Sequence, residues 1–291
     1  MRLSAPAKLN LCLYLGGRRA DGLHELCSLF EPLALADLIT LPALTTPGVG
    51  QSRTGASAER DEVVCPGVEG ENLAARALAA LRRCGWPHPP LRIEIEKRIP
   101  VAAGLGGGSA DAAAVLRLAA GEVADLERIA AGLGADVPSQ LTPSLALVQG
   151  AGEMVERLPD PPPHAVVLLP DGGGLSTAAV FAEADRLGLG RGASELDELA
   201  KRLRATAGAG ASPLAHPELL VNDLEPAARS LRPRIGDALD ALRAAGAPHA
   251  ALTGSGPTAF GLFESLAAAR AAAESLDRDD AIVCAAGRAS Q

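Results

Sequence analysis

Residues 91–96, Leu91-Arg-Ile-Glu-Ile-Glu96, alternate apolar with charged side chains, which predicts a strand with one face in the core and one in water. That strand leads into a glycine-rich segment, Pro100-Val-Ala-Ala-Gly-Leu-Gly-Gly-Gly-Ser-Ala-Asp111, and then into an alanine-rich run whose spacing predicts a helix over 109–120. Upstream, 9–15 and 33–41 read as strands flanking a turn around 16–22, and 43–60 is rich in Gly, Pro, Ser and Thr, as surface loops are. Helical spacing over 73–83 stops at Gly85 and Pro87. Helices over 109–120 and 123–133 and a strand at 145–148 complete the first half.

The prolines of 159–163 stiffen the chain and end any regular element, so they mark the expected domain boundary, giving domains 1–158 and 159–291. Beyond them the pattern predicts a strand at 165–169, helices over 177–187, 195–207 and 229–245, a helix over 266–276 and a strand at 281–285. A second glycine turn, Thr253-Gly-Ser-Gly-Pro257, lies between two short apolar strands. Strands and helices mix in both halves without a repeating βαβ count, which predicts an α+β fold.

Hydrophobic residues make up 48% of the chain and aromatic residues only 2%, so Ala, Leu and Val must fill the core. A net charge of −8 argues against a nucleic-acid partner, which needs basic patches. The five cysteines are odd in number and scattered, without C-x-x-C spacing. They predict neither a disulfide framework nor a zinc site, and a reduced cytoplasm fits them. Pro6, Lys8 and Asn10 interrupt any secretory core near the start, and no apolar run reaches membrane-spanning length.

The glycine segment carries the chemistry. Glycines 104, 106, 107 and 108 let the backbone approach a ligand closely, and Ser109 is placed to cap the helix that follows. A glycine loop opening a helix offers free N–H groups and a positive dipole end, which suits a phosphate; a plain tight turn is the alternative. A Walker loop needs Lys where Ser109 stands, and a dinucleotide fingerprint beginning at Gly104 needs Gly at 109. The Gly-Ser-Ala-Asp run from 108 lacks the closing Gly of a hydrolase nucleophile elbow. The loop suggests a nucleotide kinase of another lineage, with the plain tight turn still open.

Four segments stand out together: Pro6-Ala-Lys-Leu-Asn10 with Arg19-Ala-Asp-Gly-Leu-His-Glu-Leu26, the glycine loop, Gly134-Ala-Asp-Val-Pro138, and Leu252-Thr-Gly-Ser-Gly256 with Asn222-Asp-Leu-Glu225. At these residues the chain resembles the GHMP kinase superfamily from Ala5 to about Phe263. Within it, the first segment and Asn222-Asp-Leu-Glu225 resemble the branch whose acceptor is a cytidine diphosphate-linked methylerythritol of the non-mevalonate isoprenoid precursor pathway. Homoserine and mevalonate-type kinases lack that pairing. The resemblance implies an S5-like N-terminal domain that binds ATP, a ferredoxin-like C-terminal domain, and an active site in the cleft between them. It implies transfer of the γ-phosphoryl of ATP, with Mg²⁺, to an alcohol, by a cytoplasmic monomer or weak homodimer.

The same resemblance implies roles. Asp136 accepts the hydroxyl proton, and Lys8 keeps Asp136 ionised and offsets charge on the moving group. Pro100, Ala103, Gly104, Leu105, Gly106, Gly107, Gly108 and Ser109 hold the phosphates, with Lys97 and Asn72 near the adenine. Asn10 and Thr177 line the reacting end, His24 reads the cytosine edge and Phe181 stacks on the base. Bland alternatives stand beside these: a helix cap or turn residue for Asp136, a solvated edge-strand charge for Lys8, and a helix-start residue for Thr177. An exposed turn residue, core filler, a solvated charge and a cap are the corresponding alternatives for His24, Phe181, Lys97 and Asn72. Alternation in the strand favours the cleft for Lys8, because it puts Lys8 on the face of Asn10.

Two departures qualify the resemblance. Leu23 stands where the family usually has an aromatic, leaving one face of a cytosine sandwich aliphatic. Ser139-Gln140 and Pro143-Ser144 occupy a stretch where the family has two Phe and later a Gly pair. Losing one aromatic pair costs about 0.5–1.5 kcal/mol. No carboxylate cluster dedicated to a metal is visible, so no metal ligand is assigned.

Overall fold

The computed structural model describes residues 1–41 and 60–287; apart from Arg60, the loop expected at 43–60 lies outside the described residues. The chain opens with two 17-residue strands, β1 (Arg2–Arg18) and β2 (His24–Thr40), paired as one antiparallel hairpin. Both run beyond the expected 9–15 and 33–41. Apolar alternation hides their length in two ways: β1 shifts register at Pro6/Lys8, Asn10/Cys12 and Leu15/Arg18, and Lys8, Asn10, Ser28, Glu31 and Asp37 are buried polar residues. The turn falls at 19–23 rather than 16–22 and is closed by Arg19 N–H donating to Leu23 O at 2.7 Å. Gly16 lies in the strand, where a Cβ would stand 2.5 Å from Leu196 Cδ1.

Strand β3 (Glu62–Val64) and helix α1 (Leu73–Arg83) precede β4 (Arg92–Glu96), which shows the alternating burial its sequence predicts. After the glycine loop come α2 (Gly107–Leu116), α3 (Leu126–Leu133) and α4 (Val137–Gln140), then β5 (Ala146–Gly150) and an unanticipated β6 (Met154–Arg157). The opposite edge of β2 takes β4 at Leu38–Thr40 and β5 at Leu26–Phe30, with β3 beyond β4 and β6 beyond β5. Helices α1 to α4 bury their apolar faces in one core with Ile39, Ile93 and Ile95. Helix α3 starts at Leu126, not 123, and α2 gives way to a short 3₁₀ turn at Arg117–Ala119.

The second half contributes β7 (Ala165–Leu169), α5 (Thr177–Leu187), α6 (Ala193–Gly208), α7 (Glu225–Leu231), α8 (Arg234–Ala244), β8 (His249–Leu252), β9 (Ala259–Phe263), α9 (Leu266–Ser275) and β10 (Ile282–Ala285). The single helix expected over 229–245 is two. Pro233 pushes the preceding residue out of the helical region, and Arg232 sits at φ −146°, ψ 84°. The four strands form an antiparallel sheet in the order β10-β7-β9-β8. Both its faces are buried: Ala165, Val167 and Leu169 pack with α5, α7, α8 and α9, while Val166 and Leu168 pack with the long hairpin and α6. The architecture is α+β.

The two halves meet along the outer edge of β1. Asn10 N–H donates to Thr253 Oγ1 at 3.0 Å and Leu13 N–H to Val221 O at 2.8 Å, while Lys8 N–H donates to Leu105 O of the first half's own glycine loop at 2.9 Å. A buried ion pair adds a second link: His164, just before β7, holds Glu31 of β2 with Nε2 and Oε2 3.1 Å apart. Burial works against the charged imidazole, but the hydrogen bond and charge of Glu31 hold the His164 pKa above the ordinary histidine value. A raised folded pKa gives stability that is complete below the unfolded value of about 6.5 and fades as pH climbs through the folded one. Glu31→Gln should therefore lower stability by about 3–5 kcal/mol at pH 6. In urea unfolding that gap should narrow by pH 9; a gap independent of pH would refute the charged pair.

Candidate active site

Lys8 projects from the bulged part of β1, 5% exposed, which rules out a solvated edge charge. Its ammonium donates to Asn10 Oδ1 at 2.5 Å, lies 3.3 Å from Asp136 Oδ2, and stands 4.9 Å above the centre of the Phe30 ring. Asp136 occupies the N-cap position of α4 but makes no capping bond; its carboxylate turns to Lys8 instead. Asn10 is fixed in turn, its Nδ2 donating to Ser28 Oγ at 2.9 Å. The strand thus presents an amide and an ammonium on one face, with a carboxylate delivered across from the first turn of α4.

The glycine loop packs directly on this pair. Gly106 has φ +70°, and a Cβ there would lie 2.8 Å from Lys8 Cγ; a Cβ on Gly104 would lie 2.7 Å from Gly256 O. The two glycine turns therefore touch through backbone, which side chains would prevent. Ser109 does not cap α2. The left-handed Gly106 starts the helix at Gly107, so Ser109 falls within the first turn and the helix has no side-chain cap. The leading N–H groups of α2, at Gly107 and Gly108, are those that a phosphate would meet. Asn222 braces the other turn, its Nδ2 donating to Leu252 O at 2.7 Å and to Gly254 O at 2.8 Å.

Lys97 and Asn72 do not line the central cavity. Asn72 caps α1, accepting from Ala74 N–H at 2.8 Å. Lys97 is bound between Asp37 and Asp111, 2.8 Å from Asp111 Oδ2, while Asp37 Oδ1 also accepts from the N–H groups of Arg98 and Ile99 at 2.6 and 2.8 Å. These bonds fasten both ends of the glycine loop to β2. Burial opposes the Lys97 charge, yet the two carboxylates hold its pKa above the usual lysine value. Burial also pushes the Asp111 carboxyl up to about 6 against the pull of Lys97, and Asp37 adds to the rise. Of the loop residues, Ala103 and Leu105 are buried in the core, Pro100 is half-buried, and Gly104, Gly106 and Ser109 face the cavity.

The cavity, about 740 Å³, lies where the halves meet, and Lys8, Asn10, His24, Asp136, Thr177 and Phe181 all line it. His24 is buried, 9% exposed, rather than exposed in a turn. Its ring lies 5.1 Å from that of Phe181, tilted by 35°, and its Nε2 is 2.7 Å from Asp185 Oδ1. Thr177 does open α5, as N1 behind the N-cap Ser176, yet its Oγ1 reaches Ser255 Oγ of the second glycine turn at 2.9 Å. Leu23 lines the wall and is 54% exposed. Sequence reasoning missed Asp185, Ser28 and Phe30 as wall residues, and left Arg18 and Ser255, which belong to segments that stood out, without a role. Asp185 alone had a local signal, lying four residues after Phe181 on one helix face.

The described chain matches the family of GHMP kinases N terminal domain over residues 72–142 and GHMP kinases C terminal over 195–281. Fold and site therefore define a small-molecule kinase of the GHMP class, with ATP as phosphoryl donor. The chain is 42% identical to the 4-diphosphocytidyl-2-C-methyl-D-erythritol kinase of Thermobifida fusca, over 93% of its own length and 89% of that protein. Identity to the Paracoccus denitrificans enzyme of the same name is also 42%, over 93% and 90%. A crystal structure of 4-(cytidine 5'-diphospho)-2C-methyl-D-erythritol kinase superposes with a TM-score of 0.77 at 35% identity, covering 99% of this chain and all of that one. The chain belongs to the 4-diphosphocytidyl-2-C-methyl-D-erythritol kinase family.

The Lys97 triad makes a specific demand. Lys97→Met leaves Asp37 and Asp111 without their cation and should cost about 3–5 kcal/mol in urea unfolding. Adding Asp111→Leu should recover part of that loss, because the uncompensated charge is then smaller. Equal stability of Lys97→Met and wild type would show that the triad is not held as a unit.

Proposed function

We propose that this chain transfers the γ-phosphoryl group of ATP to the 2-hydroxyl of 4-diphosphocytidyl-2-C-methyl-D-erythritol, in the non-mevalonate route to isoprenoid precursors. The observation that carries the reading is a single cavity lined both by the Lys8–Asp136 pair with the glycine loop and by His24 with Phe181. One wall suits a phosphoryl group and its acceptor; the other suits a planar base. Division at 1–158 and 159–291, which we also propose, assigns Lys8, His24 and Asp136 to the first domain and Thr177 and Phe181 to the second. The five cysteines, none in a disulfide, accord with action in the cytoplasm.

The transfer asks for an acceptor hydroxyl in line with the γ-phosphorus and for charge on the phosphoryl oxygens to be offset. Asp136 accepts the hydroxyl proton. A carboxylate is a weak base, so holding the hydroxyl in line matters as much as removing its proton. Lys8, 3.3 Å from Asp136, presents its ammonium to the phosphoryl oxygens and offsets their charge. Asn10 fixes that ammonium, and Thr177 with Ser255 offers hydroxyls beside the reacting end. The first N–H groups of α2 receive the phosphates.

Ser109 and Asp136 line the same cavity and are hard oxygen donors, and the described residues hold no cluster of three or more His, Cys, Asp or Glu side chains. That sparse set fits Mg²⁺ carried by the nucleotide, which takes few protein ligands and keeps its waters. Ser109 and Asp136 would hold it, and it would offset charge on the phosphate oxygens.

The test is ADP release in the presence of ATP and magnesium. Turnover should appear with the cytidine compound and not with homoserine or mevalonate; the reverse pattern would move the chain to another branch. Asp136→Asn should bind ATP as wild type does in calorimetry and lose about 100- to 10,000-fold in turnover. Near-normal turnover in that variant would refute the base assignment.

A further inference from the structure

One pair in the cavity has no part in phosphoryl transfer. Asp185, on α5, places Oδ1 2.7 Å from Nε2 of His24, and its carboxylate makes no other side-chain hydrogen bond or ion pair among the described residues. A carboxylate only accepts hydrogen bonds, so the proton between these atoms belongs to Nε2. In the neutral imidazole the other nitrogen, Nδ1, then carries a lone pair. Nδ1 has no protein partner among the described residues, and it is not among the buried polar atoms left unpaired, so it is open to the cavity. The same helix face supplies Phe181, four residues earlier, whose ring packs beside the imidazole. Across the wall, Leu23 offers only apolar contact.

From this geometry we propose that Asp185 is a specificity-determining residue, fixing His24 in the tautomer whose Nδ1 accepts from the exocyclic amine of cytosine and repels the carbonyl of uracil. The inference rests on the reading of His24 as the group that meets the base. The two pyrimidines have similar shape and stack alike on Phe181, so stacking cannot separate them. At N3 cytosine accepts and uracil donates, and the exocyclic group beside it is a donor in cytosine and an acceptor in uracil. A wall that presents a lone pair there pairs with the first and leaves the second facing like charge, unpaired and desolvated. Without Asp185 the ring takes either tautomer, and the form with a proton on Nδ1 welcomes uracil. Asp185 is a positioning residue in this scheme: it acts on the base through His24.

The experiment compares kcat/KM for the cytidine substrate and its uridine analogue in wild type, Asp185→Ala and Asp185→Glu, with ¹⁵N NMR of His24 in each. Wild type should show His24 protonated on Nε2 and a strong preference for cytidine. Asp185→Ala should show mixed tautomers and a preference reduced by about 10-fold or more. The loss should appear in KM for the cytidine compound and not in KM for ATP, and Asp185→Glu should restore part of the preference. Asp185 is half-exposed, its side chain 45% accessible, so the variants should fold and the melting temperature checks this. An unchanged preference in Asp185→Ala, or a wild-type ring protonated on Nδ1 alone, would overturn the proposal while leaving the kinase reading intact. Absence of wild-type turnover with the cytidine compound would overturn the functional reading and this proposal together.

Discussion

The outer edge of β1 is the constraint on which the rest of the molecule depends. Its partner strand occupies one edge along the whole hairpin, so the N–H and C=O groups of the other edge need partners of their own. They find them in segments from across the chain: Leu105 of the glycine loop, Thr253 of the second glycine turn, and Val221 beside Asn222. One strand therefore sets the positions of both glycine turns and ties the second half to the first. Lys8 and Asn10 sit on the stretch where these partners converge, which is why the site forms there and not elsewhere along a 17-residue strand.

Burial of charge shapes the region around that strand. Lys8 and His164, which are buried, and Lys97, which is partly so, each face a carboxylate delivered by a different element. The arrangements differ in openness. Lys97 and His164 are enclosed with their partners and act as ties, whereas Asp136 keeps 30% of its side chain accessible and opens to the cavity. The same chemistry thus serves as a clamp where the pair is largely enclosed and as a reactive pair where one side is left open for substrate.

Much of the local structure was legible in the amino-acid pattern. The strand at 165–169 and the helices at 73–83 and 177–187 coincide with the observed elements, because each is bounded by strong turn or capping residues. The long hairpin was only half legible, since buried polar residues and bulges break the alternation that betrays a strand. Lys97 illustrates the limit at the site. As a lysine preceding a glycine loop it reads equally as a ligand contact or a solvated charge, and only the positions of Asp37 and Asp111 make it a tie. Ser109 misled for a related reason, because a left-handed glycine can begin a helix without any side chain.

What the sequence by itself determined is the set of chemical groups and their local settings: glycines where the backbone must turn sharply, a lysine and an asparagine on one strand face, an aromatic ring and a carboxylate four residues apart on one helix. Which groups meet was decided only by the tertiary structure. His24 and Asp185 are 161 residues apart, and Glu31 and His164 are 133 apart. No local propensity encodes such a pairing, because it arises when two sheets bury opposing faces and every charge carried inside must find a partner there.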